Sequence, residues 1–143
     1  FYKFIMKKKF AFLIIFFFST QLARSEDLTN NKFLCYNYLN LKPKSHSYIT
    51  LNFISKNQVI KQEMRNFNIR IEDQLSYKVY PDKVKLSNKA WINRENIFYN
   101  YKLDEYITIR YVCSILDEDT NIKETLNEKL QETLLKQDKL NKF

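Results

Sequence analysis

The sequence predicts a mainly β fold, an antiparallel meander of about seven to nine short strands followed by one C-terminal α-helix. The strands are expected to form a curved sheet or a small barrel or sandwich, since a sheet of that size has to hide its edges. Two observations support this prediction. Apolar and polar residues alternate in short runs between residues 33 and 116, and after Leu116 the apolar residues recur at about every fourth position.

The alternating runs define the predicted strands. Ile49, Leu51 and Phe53 alternate with polar neighbours in the second run, and the same spacing continues from Ile107 to Ile115 in the last. β-branched and aromatic residues are frequent in these runs, as is typical of half-buried strands. The predicted strands are 33–39, 47–55, 58–64, 67–71, 75–79, 83–86, 90–93, 97–103 and 106–115.

Short polar breaks separate the runs, so strands that are consecutive in sequence are expected to be neighbours in space. The chain contains no glycine. Because glycine usually occupies the turn positions with positive φ, asparagine or aspartate has to take them in this chain. We expect positive φ at Asn57, Asn88 and Asp104.

One helix is predicted within residues 117–143. Asn121 and Glu124 are spaced like a capping box at its start. An apolar stripe follows, formed by Ile122, Leu126, Leu130 and Leu134. An isolated helix of about 18–20 residues, the length expected here, is marginal in water. We therefore expect the stripe to pack on the chain's own sheet, with Leu126 and Leu130 the most buried.

Residues 1–25 are predicted to contain a secretory signal peptide. Three lysines at 7–9 precede an apolar run at 10–18, which is too short to span a bilayer. Ala23 and Ser25 then supply small residues at the −3 and −1 positions of a cleavage site. The alternative is an uncleaved membrane anchor.

Processing at this site divides the chain into three parts. Residues 1–5 precede Met6, where translation is expected to start, and the mature chain is expected to begin at Glu26. The mature chain then consists of a β domain at 26–116 and the helical segment 117–143, which packs on or beside it. No stable membrane span remains after processing.

The net charge of the whole chain is misleading. The formal charge is +8, but residues 1–25 hold five basic residues and no acidic one, which leaves 19 Lys and Arg against 16 Asp and Glu, a net charge of +3. A nucleic-acid partner is therefore not expected.

The composition excludes several classes of enzyme. Without glycine there is no dinucleotide-binding loop, phosphate-binding loop or nucleophile elbow. The one histidine, His46, lies in a turn-like polar stretch, and the sequence identifies no nucleophile or carboxylate that would act with it in catalysis. No catalytic, cofactor-binding or metal site is predicted. The acidic pairs 72–73 and 104–105 leave a two-carboxylate hydrolase as a distant possibility.

Cys35 and Cys113 are expected to form a disulfide bond, because an exported protein with two cysteines usually pairs them. They belong to the first and last predicted strands. The bond is easiest to form if those two strands are adjacent or face each other across a sandwich. The alternative is two free buried thiols.

Large amphipathic side chains are the main candidates for ligand contact. Tyr77, Trp91, Tyr99 and Tyr101 are the predicted contact aromatics. Tyrosine is also a strong strand former, so a purely structural role is the alternative. Four arginines alternate with apolar residues, so most of them are expected to project outward onto a solvated face of the sheet, with anion binding as the alternative: Arg65, Arg70, Arg94 and Arg110.

The sequence therefore favours an exported, non-enzymatic monomer, periplasmic or secreted from a bacterium, that binds a small molecule, a peptide or a partner protein. The alternative is an accessory subunit or inhibitor of the cell envelope that docks through its C-terminal helix. A cavity lined by the tyrosines and Trp91 would favour the first function, and a filled interior with an exposed leucine stripe would favour the second.

Overall fold

The computed structural model describes residues 27–38 and 43–142. The predicted signal peptide and its cleavage site lie outside the described residues. Within them, ten antiparallel strands form one curled half-barrel sheet, followed by one helix, which confirms the predicted fold class. The strands are β1 (Lys32–Tyr38), β2 (His46–Phe53), β3 (Gln58–Arg65), β4 (Asn68–Ile69), β5 (Asp73–Ser76), β6 (Lys78–Val79), β7 (Lys83–Lys85), β8 (Ala90–Asn93), β9 (Phe98–Lys102) and β10 (Thr108–Leu116), and the helix α1 is Ile122–Asn141.

The strand order explains why the sheet curls. The order is β4-β3-β2-β1-β10-β9-β8-β7-β6, a meander in which the first and last strands are neighbours. β5 also pairs with β3 at one end of the sheet, whereas β6 pairs with β7 at the other. Only Tyr77 separates β5 from β6, so one continuous segment belongs to both ends of the sheet. A segment can pair in this way only if the sheet bends back on itself.

The disulfide bond links Cys35 to Cys113. The two residues are direct cross-strand partners in the β1–β10 ladder, and Cys35 is fully buried. The bond therefore ties the start of the sheet to its end through adjacent strands, one of the two arrangements expected from the sequence.

The inner face of the curl carries the main core. Ile49, Leu51 and Phe53 of β2 point into it, and the Phe53 ring packs edge-to-face on Tyr77 with 4.8 Å between ring centroids. The other buried members are Cys35, Val59, Val84, Leu86, Ala90, Ile92, Tyr99 and Tyr111. Residues from both ends of the sheet thus share one core.

The helix packs on the outer face of the same sheet, against β2 and β4. Leu126 is fully buried there, in a cluster with Leu34, Tyr48 and Met64. The Asn121 side chain accepts a hydrogen bond from the Glu124 amide at 3.3 Å and so caps the helix.

Thr133, rather than Leu130, is the second most buried residue of the helix. Leu130 is half-buried. The Thr133 hydroxyl donates to the Lys129 carbonyl at 2.7 Å, which satisfies its polar group inside the contact. The spacing of the leucines does not predict the burial of Thr133. A polar residue can be buried at this position because it forms its hydrogen bond within the helix.

The predicted positive-φ turn residues are wrong. Among the described residues, positive φ occurs at Asn30, Asn66, Phe67 and Ile97. The expected positions form turns that side chains stabilise instead. Asp104 accepts hydrogen bonds from the amides of Tyr106 and Ile107 at 2.7 and 2.8 Å, so its own backbone does not need the left-handed region.

Asn66 and Phe67 form the two-residue loop between β3 and β4, and both have positive φ, 52° and 62°. This is the pattern of a type I′ hairpin turn, in which the second position favours glycine. Phe67 therefore holds a bulky residue in a conformation that is sterically unfavourable for it.

Replacing Phe67 by glycine should raise the free energy of unfolding by up to about 1 kcal/mol, because the left-handed penalty is removed. The measurement is chemical denaturation. Asn88→Gly is the control, since Asn88 lies in a turn without positive φ and its replacement should lower stability. A larger loss for Phe67→Gly than for Asn88→Gly would contradict the strain argument.

Candidate ligand-binding cavity

A cavity of about 320 Å³ lies inside the curl and is partly open to solvent. β2, β9, β10 and the residue after β9 supply its apolar and aromatic wall, which consists of Ile49, Tyr99, Tyr101, Leu103, Ile109 and Tyr111. Ile71, in the segment between β4 and β5, lies at the opening and is 91% exposed. The wall is thus apolar where it joins the core.

The opposite wall is charged. Val59 of β3 points into the core, and the same face of β3 continues with Lys61, Glu63 and Arg65. Because side chains alternate along a strand, these three residues share the inward face with Val59. Arg70 and Asp73, which follow the β3–β4 hairpin, complete this wall.

A polar network links the two walls at Glu63. The Glu63 side chain is only 15% exposed and lies 4.0 Å from the Arg70 guanidinium. The Ser47 hydroxyl lies 3.4 Å from the Glu63 carboxylate, to which it donates, and 3.1 Å from the Tyr111 hydroxyl. A mostly buried carboxylate therefore has one partner on β2 and one in the segment that follows β4.

The two tyrosines deepest in the cavity are held in their neutral form. Burial, with smaller effects from neighbouring Tyr111 and Glu63, raises the pKa of Tyr99 far above its usual range. Burial likewise raises the pKa of Tyr111, although its hydrogen bond with Ser47 acts in the opposite direction. Both phenols are hydrogen-bond donors at any physiological pH.

The predicted contact aromatics separate into two groups. Tyr99 and Tyr101 line the cavity. Tyr77 lies between β5 and β6, where it packs on Phe53 and donates to the Ser55 carbonyl at 2.6 Å. Trp91 alternates on β8 with the inward residues Ala90 and Ile92, so it faces the outer side of the sheet.

Arg65 and Arg70 differ from the outward orientation expected of most of the four arginines. Both line the cavity. The sequence signal that could have found this wall is the parity of β3, since Lys61, Glu63 and Arg65 have the same parity as Val59. The sequence of β3 alone does not show where the neighbouring strands lie, and alternation of this kind is equally typical of a strand whose charged face is in solvent.

The other titratable candidates serve the structure or lie on the surface. His46 is 8% exposed, and burial with the nearby charge of Lys136 lowers its pKa. Glu72 lies 4.0 Å from Lys123. No group of three or more His, Cys, Asp or Glu side chains suited to a metal ion occurs among residues 27–38 and 43–142.

Comparisons with protein-family models, with curated proteins and with solved structures return no match to this chain. In the part of the chain that the structure describes, no helix is both long enough and apolar enough to cross a membrane.

Proposed function

We propose that the protein is an exported, non-enzymatic binding protein that holds one small amphipathic molecule in the cavity of its half-barrel. The observation that carries this proposal is a cavity of about 320 Å³ with an aromatic wall and a charged wall facing each other. Pockets for small ligands are typically concave, mostly apolar and equipped with a few placed polar groups. The disulfide bond supports export, because such bonds persist in oxidising compartments.

The charged wall supports binding over a purely structural role. Turning a lysine, a glutamate and an arginine toward the interior of a sheet has a desolvation cost that apolar residues would avoid. Val59 shows that the same strand can carry an apolar inward residue. Departures from core patterning of this kind are expected at functional sites.

Binding of the neutral fluorescent probe N-phenyl-1-naphthylamine to the purified protein tests this function. Saturable fluorescence enhancement with one site per chain is expected. Ile109→Trp fills the cavity from β10 and should weaken probe binding at least about tenfold, since the added indole occupies the space of the probe. Val112→Trp is the matched control, because Val112 lies on the outer face of the same strand and is 39% exposed.

Equal probe binding in both tryptophan variants, each with an unchanged circular dichroism spectrum, would contradict the proposal. This result would favour the second candidate function, which is docking to a protein partner through α1. The observation that favours this alternative is the exposed apolar surface of the helix, where Leu135 and Leu140 are 61% and 55% exposed.

A further inference from the structure

The charges of the cavity wall cancel in pairs, except for one. Lys61 and Asp73 are direct partners in the β3–β5 ladder. Glu63 lies 4.0 Å from Arg70. Side chains that face each other across a ladder are close enough to compensate each other's charge. These two pairs leave a charge of +1 on the wall, and it belongs to Arg65.

Arg65 has neutral neighbours on both sides. Its partner in β2 is Ser47, and its partner in β4 is Asn68. It is half-buried, and no carboxylate of the described residues forms an ion pair with it. Its charge acts on the hydroxyl of Tyr111, where it partly offsets the effect of burial on the pKa of that group. Arg65 lines the same cavity as Tyr101 and Tyr111, so its charge lies on the inward side of β3.

We propose, on the basis of the binding function above, that the ligand is a monoanion with an apolar body, whose negative group pairs with Arg65. The apolar body lies against Tyr101 and Ile109. Carboxylates, sulfonates and phosphate diesters each carry one negative charge that is shared by at least two oxygen atoms, which a guanidinium can bind through two parallel hydrogen bonds.

The remaining wall favours an anion over a cation. Glu63, the more buried of the two carboxylates in the cavity wall, has Arg70 and Ser47 as partners. The neutral phenol of Tyr99 adds a hydroxyl group that can donate to an anion, whereas the Tyr111 hydroxyl already donates to Ser47. A ligand cation would meet a wall that already carries one uncompensated positive charge.

Two probes that differ by a single sulfonate test the proposal. We expect 8-anilinonaphthalene-1-sulfonate to bind at least about tenfold more tightly than N-phenyl-1-naphthylamine, its uncharged counterpart. Arg65→Gln should lower the affinity for the sulfonate about tenfold and leave that for the neutral probe within about twofold. Arg65→Lys should retain part of the preference for the sulfonate probe, because lysine keeps the positive charge but cannot donate the two parallel hydrogen bonds of a guanidinium.

Lys102→Gln is the matched control. It removes one positive charge from β9 at an exposed position outside the cavity wall, and should leave both affinities unchanged. Equal loss of sulfonate binding in Lys102→Gln and Arg65→Gln would show attraction by the overall charge and would overturn the proposal.

The outcomes separate this proposal from the proposed function. Saturable binding of the neutral probe without preference for the sulfonate would overturn the anionic ligand and leave the binding function standing. Retention of sulfonate binding in Ile109→Trp would place that probe outside the cavity and would also overturn the proposal. Failure of both probes to bind would contradict the binding function itself.

Discussion

Replacing both Cys35 and Cys113 by alanine should lower the free energy of unfolding by about 3–4 kcal/mol. The bond closes a loop with a sequence separation of 78 residues, so it removes a large amount of conformational entropy from the unfolded chain. The chain-entropy formula sets an upper figure of about 4.5 kcal/mol, which residual structure in the unfolded chain reduces.

Denaturation of the alanine variant and of the oxidised wild type in guanidinium chloride measures this difference. Reduced wild type is the control, since it lacks the bond but keeps both sulfur atoms in the core. Oxidised protein should resist alkylation and give one linked peptide containing both cysteines. Free reactivity of both thiols in the folded, air-exposed protein would contradict the closure of the sheet by this bond.

Leu126→Asp should destabilise the protein by about 4 kcal/mol or more, enough to unfold much of a domain of ordinary stability. Leu126 is fully buried between the helix and the outer face of the sheet. The change removes a buried side chain and places a carboxylate in an apolar contact that offers it no partner in its cluster.

Leu135→Asp is the matched control, because the same change is made on the same helix at a position that is 61% exposed. Its effect should stay within about 0.5 kcal/mol. Thermal and chemical denaturation of the two variants and of the double variant Leu126→Asp/Leu130→Asp give the comparison. Similar stability of Leu126→Asp and wild type would show that the helix does not pack on its own sheet in solution.

Local patterns predicted the elements well. Period-two alternation identified the strands, and the one break inside a predicted strand occurs at Tyr77, where a single segment turns from one end of the sheet to the other. The spacing of Asn121 and Glu124 identified the start of the helix. These features follow from interactions between residues that are close in sequence, which is why the sequence reveals them.

Turn conformation was predicted less well. The positive φ angles fall at Asn66 and Phe67 because the register of β3 and β4 leaves only two residues for the loop between them. In the β9–β10 turn, the Asp104 carboxylate accepts a hydrogen bond from the backbone, so the turn forms without a positive φ angle. Residue type predicts which residues favour positive φ, but strand register decides which residues adopt it, even a bulky one such as Phe67.

The sequence by itself determined the mainly β class, the C-terminal helix and the pairing of the two cysteines, since periodicity and cysteine number are properties of the chain alone. Only the tertiary structure decided which face of β3 is inward, and hence that Lys61, Glu63 and Arg65 share a cavity with Tyr99 and Tyr101. The alternation of residues along a strand separates its two faces but does not show which of them is inward. The curl that selects the inner side comes from pairing between strands that are distant in sequence.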